Sequence, residues 1–402
     1  MTNILLIQAP LDIKGDFNKE LISTRVFPPL GLLSIATFIK KTSSLANEMN
    51  VRVLDGDIED SNILYELVKK SRIVGLSINI LNYENSLEIA MQAKEYGATV
   101  VLGGPYATSC WESILKNRKF IDYVIIHEGE VPFKMLIENR NIPDIPNIAF
   151  RNGNNVVKTR YYENDLSKLP IIDRSFIDLN KYFTHPKSAI WRDSLQLPFK
   201  RQVHIYSQKG CLWRDMSGGC IFCARIVPRH RTRPITKIWE EIKDLKEKFD
   251  IDCVWDASDD VLCDANWFKE FVRLKPHDIN TNMVVYGRAN EISDETVDLL
   301  RKVNCCEIFI GFETNNNNLL TNARKGCSIN DNIKAANILN KAGVRLFGSF
   351  VLGLPGETEK SLKNTLEFIK KLILENGNIN RLTGSRKDIV NSFLMLPTVR
   401  TS

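Results

Sequence analysis

Three cysteines in the middle of the chain, Cys211, Cys220 and Cys223, are the residues best suited to chemistry. They follow a strand-like run, residues 203–207, so we expect them on one loop. Three thiolates on one loop can hold three irons of a cubane cluster and leave the fourth iron open to another ligand. A structural zinc site would need four closed ligands, and His230 is the nearest candidate for the fourth. Local spacing favours the cluster but leaves zinc open.

The composition is that of a globular protein long enough for more than one domain. The chain has 402 residues, of which 44% are hydrophobic and 25% charged, and its net charge is +6. So small a charge does not indicate nucleic acid or membrane as a partner. The nine cysteines are odd in number, and Cys305 and Cys306 are adjacent, which argues against a disulfide framework. We find no signal-peptide pattern and no membrane-length apolar run, so we expect a cytoplasmic protein.

Residues 1–145 predict an α/β domain with a doubly wound, Rossmann-like sheet. Short apolar runs alternate there with helix-like segments, the pattern of parallel strands joined by crossover helices. The predicted strands are Ile4–Ile7, Val51–Leu54, Ile73–Ile78, Val100–Leu102 and Tyr123–Ile126, and the clearest helices are Gly31–Lys41 and Glu84–Tyr96.

Ligands of such sheets bind beyond the carboxyl ends of the strands. Gly103 and Gly104 would let the backbone approach a bulky ligand there, although tight turns alone would also explain them. The candidate binding residues at these ends are Ser77, Gly103, Gly104, Pro105, Glu128 and Gly129.

The rest of the chain predicts a connector followed by a second α/β domain. Residues 146–200 read as a hairpin with an Asn-Gly turn and a proline-containing linker. Residues 201–402 then resume the alternation of strands and helices, with six strands near 203–207, 252–256, 282–286, 306–311, 346–352 and 391–396. Six such units form a partial or full parallel TIM-type barrel, whose active site lies at the carboxyl ends of the strands. The sequence stops just after the sixth strand, so we expect a truncated C-terminal end.

An ordered series of motifs runs through the second domain. It comprises Gly210 with Cys211, residues 220–223, 285–289, 310–314, Lys325 with Gly326, and 350–358. This series closely resembles the radical S-adenosylmethionine (SAM) superfamily. The first domain, with residues 28–32, 101–105 and 128–130, resembles the cobalamin-binding domain that is often fused in front of it.

The resemblance implies that Cys211, Cys220 and Cys223 ligate a 4Fe-4S cluster and that SAM binds its fourth iron. One electron from the cluster would cleave SAM to a 5'-deoxyadenosyl radical. Phe222 would lie near the adenine, Asp259 and Asp260 near the amino group of SAM, and Arg288 and Glu313 near its carboxylate and ribose. Gly353 would allow close approach of the adenine.

The sequence departs from the family pattern at two points. Eight residues, 212–219, separate the first two cysteines, where the superfamily usually has three. Gly218 and Gly219 could fold this insertion outward, and Trp213, Arg214 and Asp215 could line a substrate entrance or form a solvated tip. No histidine precedes His127, so the axial histidine of some cobalamin domains is excluded, whereas cobalamin binding without it is compatible with the family.

The resemblance predicts a cobalamin-dependent methyltransferase that acts on an unactivated carbon or on phosphorus. One SAM would methylate the cobalamin and a second would supply the radical. Radical cyclisation or rearrangement is the alternative enzyme, and a structural zinc protein is the alternative without catalysis. We expect a small-molecule or peptide substrate and an electron donor such as flavodoxin or ferredoxin.

The second domain also contains an amphipathic segment and a basic run. The helix predicted over residues 239–249 should cover the barrel with its aromatic side chains. A basic run after the cysteines is more typical of a solvated face than of an anion site. It comprises Arg225, Arg229, His230, Arg231 and Arg233.

Overall fold

The computed structural model describes residues 1–11, 26–188, 197, 199–223, 227–375 and 392–394. It divides into two compact units, Met1–Ala189 and Ile190–Ser402, and each is described by itself. Within the described residues, no helix combines the length and apolar character that crossing a membrane requires.

The first unit is built on one seven-stranded sheet. Its strands are β1 (Thr2–Gln8), β2 (Met49–Asp55), β3 (Ile73–Ser77), β4 (Thr99–Gly103), β5 (Tyr123–Ile125), β6 (Ile148–Asn152) and β7 (Asn155–Lys158). Its helices are α1 (Leu30–Thr42), α2 (Ser61–Lys69), α3 (Tyr83–Glu95), α4 (Pro105–Asn117), α5 (Glu130–Ile137) and α6 (Leu179–Thr184).

The strand order is β2-β1-β3-β4-β5-β6-β7, and the pairs from β2 to β5 are parallel. The chain reverses its winding direction between β1 and β3, which is where doubly wound sheets bind ligands. Residues 4–7 of β1 are all buried, as expected for a strand with helices on both faces. The predicted Rossmann-like sheet is confirmed.

The predicted hairpin is also confirmed, but it belongs to the first sheet. β6 pairs antiparallel with β5, and β7 with β6. Because Asn152 pairs with Asn155, the turn residues are Gly153 and Asn154, and the prediction of an Asn-Gly turn is wrong by one position. Gly153 has φ +60°, a value that glycine adopts without strain.

The second unit is built on a six-stranded parallel sheet. Its strands are β8 (Gln202–Ile205), β11 (Cys253–Asp256), β12 (Asn282–Gly287), β13 (Cys305–Glu313), β14 (Arg345–Leu352) and β15 (Ser392–Leu394), and a short ribbon adds β9 (Gln208–Lys209) and β10 (Arg231–Thr232). Its helices are α7 (Leu212–Ser217), α8 (Ile235–Phe249), α9 (Ala265–Arg273), α10 (Asp294–Lys302), α11 (Asn317–Asn322), α12 (Ile329–Ala342) and α13 (Glu359–Glu375).

The six strands lie side by side in chain order, from β8 at one edge to β15 at the other. This is the arrangement of a partial (β/α)6 barrel, so the predicted fold is confirmed. The helix α8 covers the sheet as predicted: Trp239 is buried and its ring stacks on that of Phe271 at 4.5 Å between centroids. Residues 395–402, at the predicted end of the barrel, lie outside the described residues.

Candidate active site

The cysteine loop is closed at its base by the ribbon of β9 and β10. Lys209 pairs with Arg231, and Gln208 with Thr232. Gly210, the first residue of the loop, has φ +81°, and a Cβ there would overlap the carbonyl of Arg229. Only glycine therefore lets the two ends of the loop approach so closely.

The long spacing between the first two cysteines is filled by a helix. Cys211 is the N-terminal cap of α7, and Gly218 ends the helix in the left-handed conformation with φ +79°. Gly219 continues with φ +81°, so two glycines turn the chain back toward Cys220. The insertion is thus a structured helix, in which Trp213 and Arg214 are half-buried and Asp215 is exposed.

The three thiols differ in exposure. Cys211 and Cys220 are half-buried, whereas Cys223 is exposed, and all three are free. Burial raises the pKa of Cys211 and of Cys220, while the nearby cations of Lys325 and Arg288 oppose this rise at Cys220. Cationic neighbours of this kind favour a thiolate, the form that binds iron.

The structure leaves the ligand assignment as a prediction. Among the described residues, no three His, Cys, Asp or Glu side chains lie close enough together to hold a metal ion. Residues 224–226, directly after Cys223, lie outside the described part. The donor set itself, three free thiols on one closed loop beside two cations, fits an anionic iron-sulfur cluster.

A buried ion pair lies beside Cys220. Lys325 Nζ and Glu313 Oε1 are 2.7 Å apart, and both side chains are under one tenth exposed. Glu313 itself has φ +62°, a left-handed conformation that is uncommon for glutamate, at a register shift between β13 and β14. A Cβ at Gly311 would overlap the Glu313 carboxylate, so the glycine makes room for the pair.

Arg288 connects this pair to the cysteine loop. Its guanidinium donates to the carbonyl of Lys325 and lies 4.9 Å from the centroid of the Trp213 ring on α7. The side chain is buried, and nearby Cys327, Cys220 and Glu291 outweigh the effect of burial and raise its pKa, so it stays a cation. The predicted contact of Arg288 with a carboxylate therefore has a permanently charged donor.

Asp260, at the carboxyl end of β11, is buried beside a second carboxyl. Leu262 N donates to its Oδ1 at 3.3 Å, and the Asp260 carboxyl lies within hydrogen-bonding reach of the Glu291 carboxyl. Burial and the adjacent Glu291 carboxyl raise the pKa of Asp260 well above its usual range. A buried pair of carboxyls fits an ammonium group from a ligand, because a cation there would favour the ionised form. Asp259, its neighbour, is half-buried.

Phe222 and Gly353 flank a small apolar cluster. Phe222 packs against buried residues that include Ala323, Val351 and Leu354. Gly353 follows β14 with φ +85°, and a Cβ there would meet only open space. Its amide donates to Glu357 Oε2 at 2.6 Å. An apolar wall next to an open glycine suits a flat aromatic ligand such as adenine.

The other charged candidates of this region have structural partners. His230 Nε2 lies 2.6 Å from Gln208 Oε1 and 3.4 Å from Cys263 Sγ, so it does not join the three cysteines as a fourth zinc ligand. Arg233 is buried in an ion pair with Glu241 at 2.7 Å, and the prediction of a solvated face is wrong for this residue. Arg225 lies outside the described residues.

Glu291, Lys325 and the contact of Trp213 with Arg288 were not predicted as parts of the site. Lys325 and Gly326 form one of the motifs shared with the superfamily, and this motif could have indicated Lys325 as a site residue. Glu291 gave none, because its position beside Asp260 depends on the pairing of β11 with β12.

In the first unit, the loops at the carboxyl ends of β3 and β4 are tightly packed together. A Cβ at Gly104, where φ is +96°, would come within 2.7 Å of Ile78 O, whereas Gly103 has space around it. Pro105 follows at the first position of α4, where its missing N–H is not needed. Ser77 accepts a hydrogen bond at its carbonyl from Asn82 Nδ2, 3.1 Å away.

The loop after β5 is held from several sides. Glu128 Oε2 accepts from Asn164 N at 2.7 Å, and the buried Glu130 accepts from Ser34 Oγ at 2.7 Å. A Cβ at Gly129 would meet Ile35 Cδ1 at 2.7 Å. Glu128 and Gly129 therefore hold the fold in place, and their predicted contact with cobalamin stays a prediction.

Comparison with known proteins agrees with these two regions. The family model of the B12 binding domain matches residues 23–137, and that of the radical SAM superfamily matches residues 205–369. An uncharacterized methyltransferase of Pyrococcus horikoshii is 23% identical over 364 residues, which are 87% of this chain and 74% of the relative. The anaerobic magnesium-protoporphyrin IX monomethyl ester cyclase of Rubrivivax gelatinosus is 22% identical over 354 residues, 86% of this chain and 62% of the relative.

Two solved structures share the fold over most of the chain. The radical SAM methyltransferase TsrM from Kitasatospora setae aligns with a TM-score of 0.71 at 17% identity, covering 92% of this chain and 71% of that protein. The cobalamin-dependent SAM radical enzyme OxsB aligns with a TM-score of 0.72 at 17% identity, covering 92% and 52%. This chain therefore spans about half the length of OxsB and less than two thirds of the cyclase.

Both predicted regions are thus matched independently, one by each family model, and in the predicted order. The cofactors of such a protein are a 4Fe-4S cluster, SAM and cobalamin. The chain belongs to the radical SAM superfamily, as an enzyme with a cobalamin-binding domain in front of its radical SAM domain.

Proposed function

We propose that this enzyme transfers a methyl group to an unactivated carbon of a small-molecule or peptide substrate. The observation that carries the proposal is the presence in one chain of a cobalamin-binding domain and a radical SAM domain. The first supplies a carrier for methyl groups, and the second supplies a radical able to remove hydrogen from an unreactive C–H bond. The methyltransferase names of the Pyrococcus relative and of TsrM support this choice.

Three thiolates would hold the cluster in the second unit. Cys211, Cys220 and Cys223 lie on a loop closed by β9 and β10, and Lys325 and Arg288 place positive charge near Cys220. This charge offsets the cost of burying thiolates and an anionic cluster. The electron would come from a donor of the flavodoxin or ferredoxin class.

SAM would meet groups that match its own charges. Arg288 offers a buried guanidinium to the SAM carboxylate, and Asp260 offers a buried carboxyl to its ammonium group. Glu313, paired with Lys325, lies at the end of β13, where the ribose is expected. Phe222 and Gly353 provide the apolar wall and the open space for adenine.

Cobalamin would lie at the carboxyl ends of the parallel strands of the first unit. Gly103 leaves open space at the end of β4, and Ile80 and Leu81, after β3, are 66% and 48% exposed. Exposed apolar side chains at a strand end suit a large, flat ligand. Because no histidine precedes His127, this region offers no imidazole for the cobalt in the usual motif.

Product analysis tests the proposal. The anaerobically reconstituted enzyme, with cobalamin, SAM and a low-potential reductant, should form both S-adenosylhomocysteine and 5'-deoxyadenosine. The first product reports methyl removal from SAM and the second reports radical formation. Cys220→Ala should abolish 5'-deoxyadenosine, whereas Cys306→Ala, at a half-buried cysteine of β13, should not. Absence of S-adenosylhomocysteine with a normal yield of 5'-deoxyadenosine would refute methyl transfer.

Radical cyclisation is the second candidate, and the resemblance to the Rubrivivax cyclase favours it. It would use the same cluster residues and SAM residues. The enzyme would then release 5'-deoxyadenosine without S-adenosylhomocysteine, so the same assay separates the two functions.

A further inference from the structure

Trp213 links helix α7, the insertion between the first two cysteines, to residues 288 and 324 of the barrel. The indole N–H of Trp213 donates to Arg324 O at 2.9 Å. One face of its ring contacts the guanidinium of Arg288, whose central carbon lies 4.9 Å from the ring centroid. Both contacts join the cysteine loop to residues from distant parts of the chain. A cation over an indole and a hydrogen bond to its N–H together define one orientation of the ring.

Gly326 completes the anchor. Its φ is +69°, and a Cβ added there would overlap the six-membered ring of Trp213. The indole therefore rests directly on the backbone of Gly326, in space that any other residue would occupy. This close fit makes Gly326 necessary for the position of Trp213, in addition to its backbone conformation.

Trp213 connects the cysteine loop to Arg288. Trp213 is two residues from Cys211, and its partner Arg288 is one of the cations beside Cys220. Asp215 of α7 also accepts from His230 N at 2.9 Å, so movement of the ring would loosen α7 on its barrel side, and with it the segment that joins Cys211 to Cys220. It would also remove the surface against which the Arg288 side chain is oriented.

We propose that Trp213 is a positioning residue, which docks the cysteine loop on Gly326 and holds Arg288 in place before any cluster is present. The inference rests on the assignment of the cluster and SAM cofactors and is independent of methyl transfer.

Thiol labelling of the metal-free full-length chain tests the docked state directly. In wild type, the half-buried Cys211 and Cys220 should react with a maleimide more slowly than the exposed Cys223, as read by peptide mass spectrometry. Trp213→Leu and Gly326→Ala should each speed labelling of Cys211 and Cys220 by about tenfold, the order expected for loss of one cation–π contact and one hydrogen bond.

Cofactor loading gives a second readout. After anaerobic reconstitution, both variants should hold less iron and sulfide per chain than wild type, and the SAM Kd of the loaded fraction should rise. Trp213→Phe, which keeps a ring over Arg288 but lacks the N–H, should lie between wild type and Trp213→Leu.

Two controls match the variants. Met216→Ala changes the same helix at a residue that is 75% exposed. Gly343→Ala introduces the same left-handed strain as Gly326→Ala, at φ +73°, but its Cβ meets open space. Both controls should label and load as wild type does. Circular dichroism verifies that each variant folds. If Trp213→Leu fails to fold, the comparison of Gly326→Ala with Gly343→Ala, together with Trp213→Phe, tests the positioning role.

Equal labelling and equal iron content in Gly326→Ala and Gly343→Ala would overturn the proposal. A chain that labels as predicted but forms no S-adenosylhomocysteine would refute methyl transfer and leave the positioning role intact.

Discussion

The parallel strands of the two sheets end in loops of different electrostatic character. At the ends of β1, β3 and β4, uncharged groups make the connections: Asn82 Nδ2 donates to Ala9 O at 3.4 Å and to Ser77 O at 3.1 Å. At the ends of β11, β12 and β13, the second sheet instead buries ionisable side chains. These are Asp260, Arg288 and Glu313, with Lys325 and Glu291 beside them.

We attribute this difference to the ligands predicted for each sheet. Burying a charge is costly unless a partner compensates it, so a chain keeps such groups only where a charged ligand or a counter-ion meets them. A corrin is bulky and needs open backbone and apolar contact, which the first sheet offers. SAM and an iron-sulfur cluster are charged, and the second sheet supplies groups of both signs.

Removing a cluster thiol should have the largest effect. Cys220→Ala is expected to lower the iron content of the reconstituted protein to background, because three protein thiolates hold the cluster. Cobalamin retention should stay at the wild-type level, since its predicted residues belong to the other unit. Iron and sulfide analysis, with cobalt measured after desalting, checks both. Cys306→Ala is the control, and wild-type iron content in Cys220→Ala would contradict the assignment.

Breaking the buried ion pair of Lys325 and Glu313 should have the next largest effect, on the stability of the fold. Lys325→Met leaves the Glu313 carboxylate buried without its partner, and we expect the free energy of unfolding to fall by about 3–5 kcal/mol. Adding Glu313→Gln should recover much of the loss, because no uncompensated charge then remains. Urea unfolding of the full chain measures both variants.

An exposed pair of the same type is the matched control. Lys363 and Glu359 are 2.6 Å apart, but their side chains are 71% and 81% exposed. Lys363→Met should change stability by less than about 0.5 kcal/mol. If Lys325→Met were no more destabilising than Lys363→Met, the charges of the second sheet would not be tightly buried.

Two buried carboxyls of the first unit, Asp55 and Glu130, qualify the comparison, and Asp55 has the perturbed pKa. Asp55, at the end of the edge strand β2, accepts from Tyr182 at 3.1 Å. Burial raises its pKa to about 7; neighbouring Asp57 also raises it, whereas Asp57 N–H, Tyr182 and Lys187 lower it. At pH 7 about half of the Asp55 carboxyls are therefore protonated, so the buried charge at this strand end depends on pH.

This pKa predicts how the stability of the first unit depends on pH. Above ~pH 4 the unfolded chain loses the proton that folded Asp55 keeps, so stability should fall until about pH 7 and then level off. Asp55→Asn should flatten this decline and stabilise the unit at pH 8 by about 3 kcal/mol.

Urea unfolding combined with limited proteolysis measures the effect, because peptides from residues 1–188 identify the transition of the first unit. Glu59→Gln is the control, since Glu59 forms a partly exposed pair with Lys181 at 2.8 Å. A pH profile of Asp55→Asn that retains the wild-type decline would show that Asp55 is ionised in the folded state.

The sequence predicted the sheets well because hydrophobic periodicity reports burial along each strand. The strand predicted over residues 282–286 is Asn282–Gly287, and that over 252–256 is Cys253–Asp256. It also identified the cysteines and most charged groups of the site, because strand ends in a parallel sheet meet at one edge.

The sequence did not reveal which charges are buried or which distant residues meet. Arg233 looked like a surface residue within a basic run, but it is buried because Glu241, on the next helix, neutralises it. Trp213 meets Arg324, 111 positions later, through the tertiary fold alone. Local composition carries no information on such pairs.

Tight backbone packing between the loops after β3 and β4 leads to the smallest predicted effect. Gly104→Ala forces an L-residue to φ +96° and places its Cβ 2.7 Å from Ile78 O. Together these should lower the free energy of unfolding by about 2 kcal/mol. Because β4 and the loop after β3 meet at this point, cobalamin retention should also decrease.

Gly97→Ala separates the cost of backbone strain from the cost of the steric contact. Gly97 has φ +80°, but its Cβ would meet open space, so only the backbone strain remains, at ~1 kcal/mol. The difference between the two variants, measured by urea unfolding and by bound cobalt after desalting, isolates the contact with Ile78. Equal stability and equal cobalt retention in the two variants would show that close packing against Ile78 does not fix the loops after β3 and β4. The hydrogen bonds of Asn82 would then be what holds these loops together.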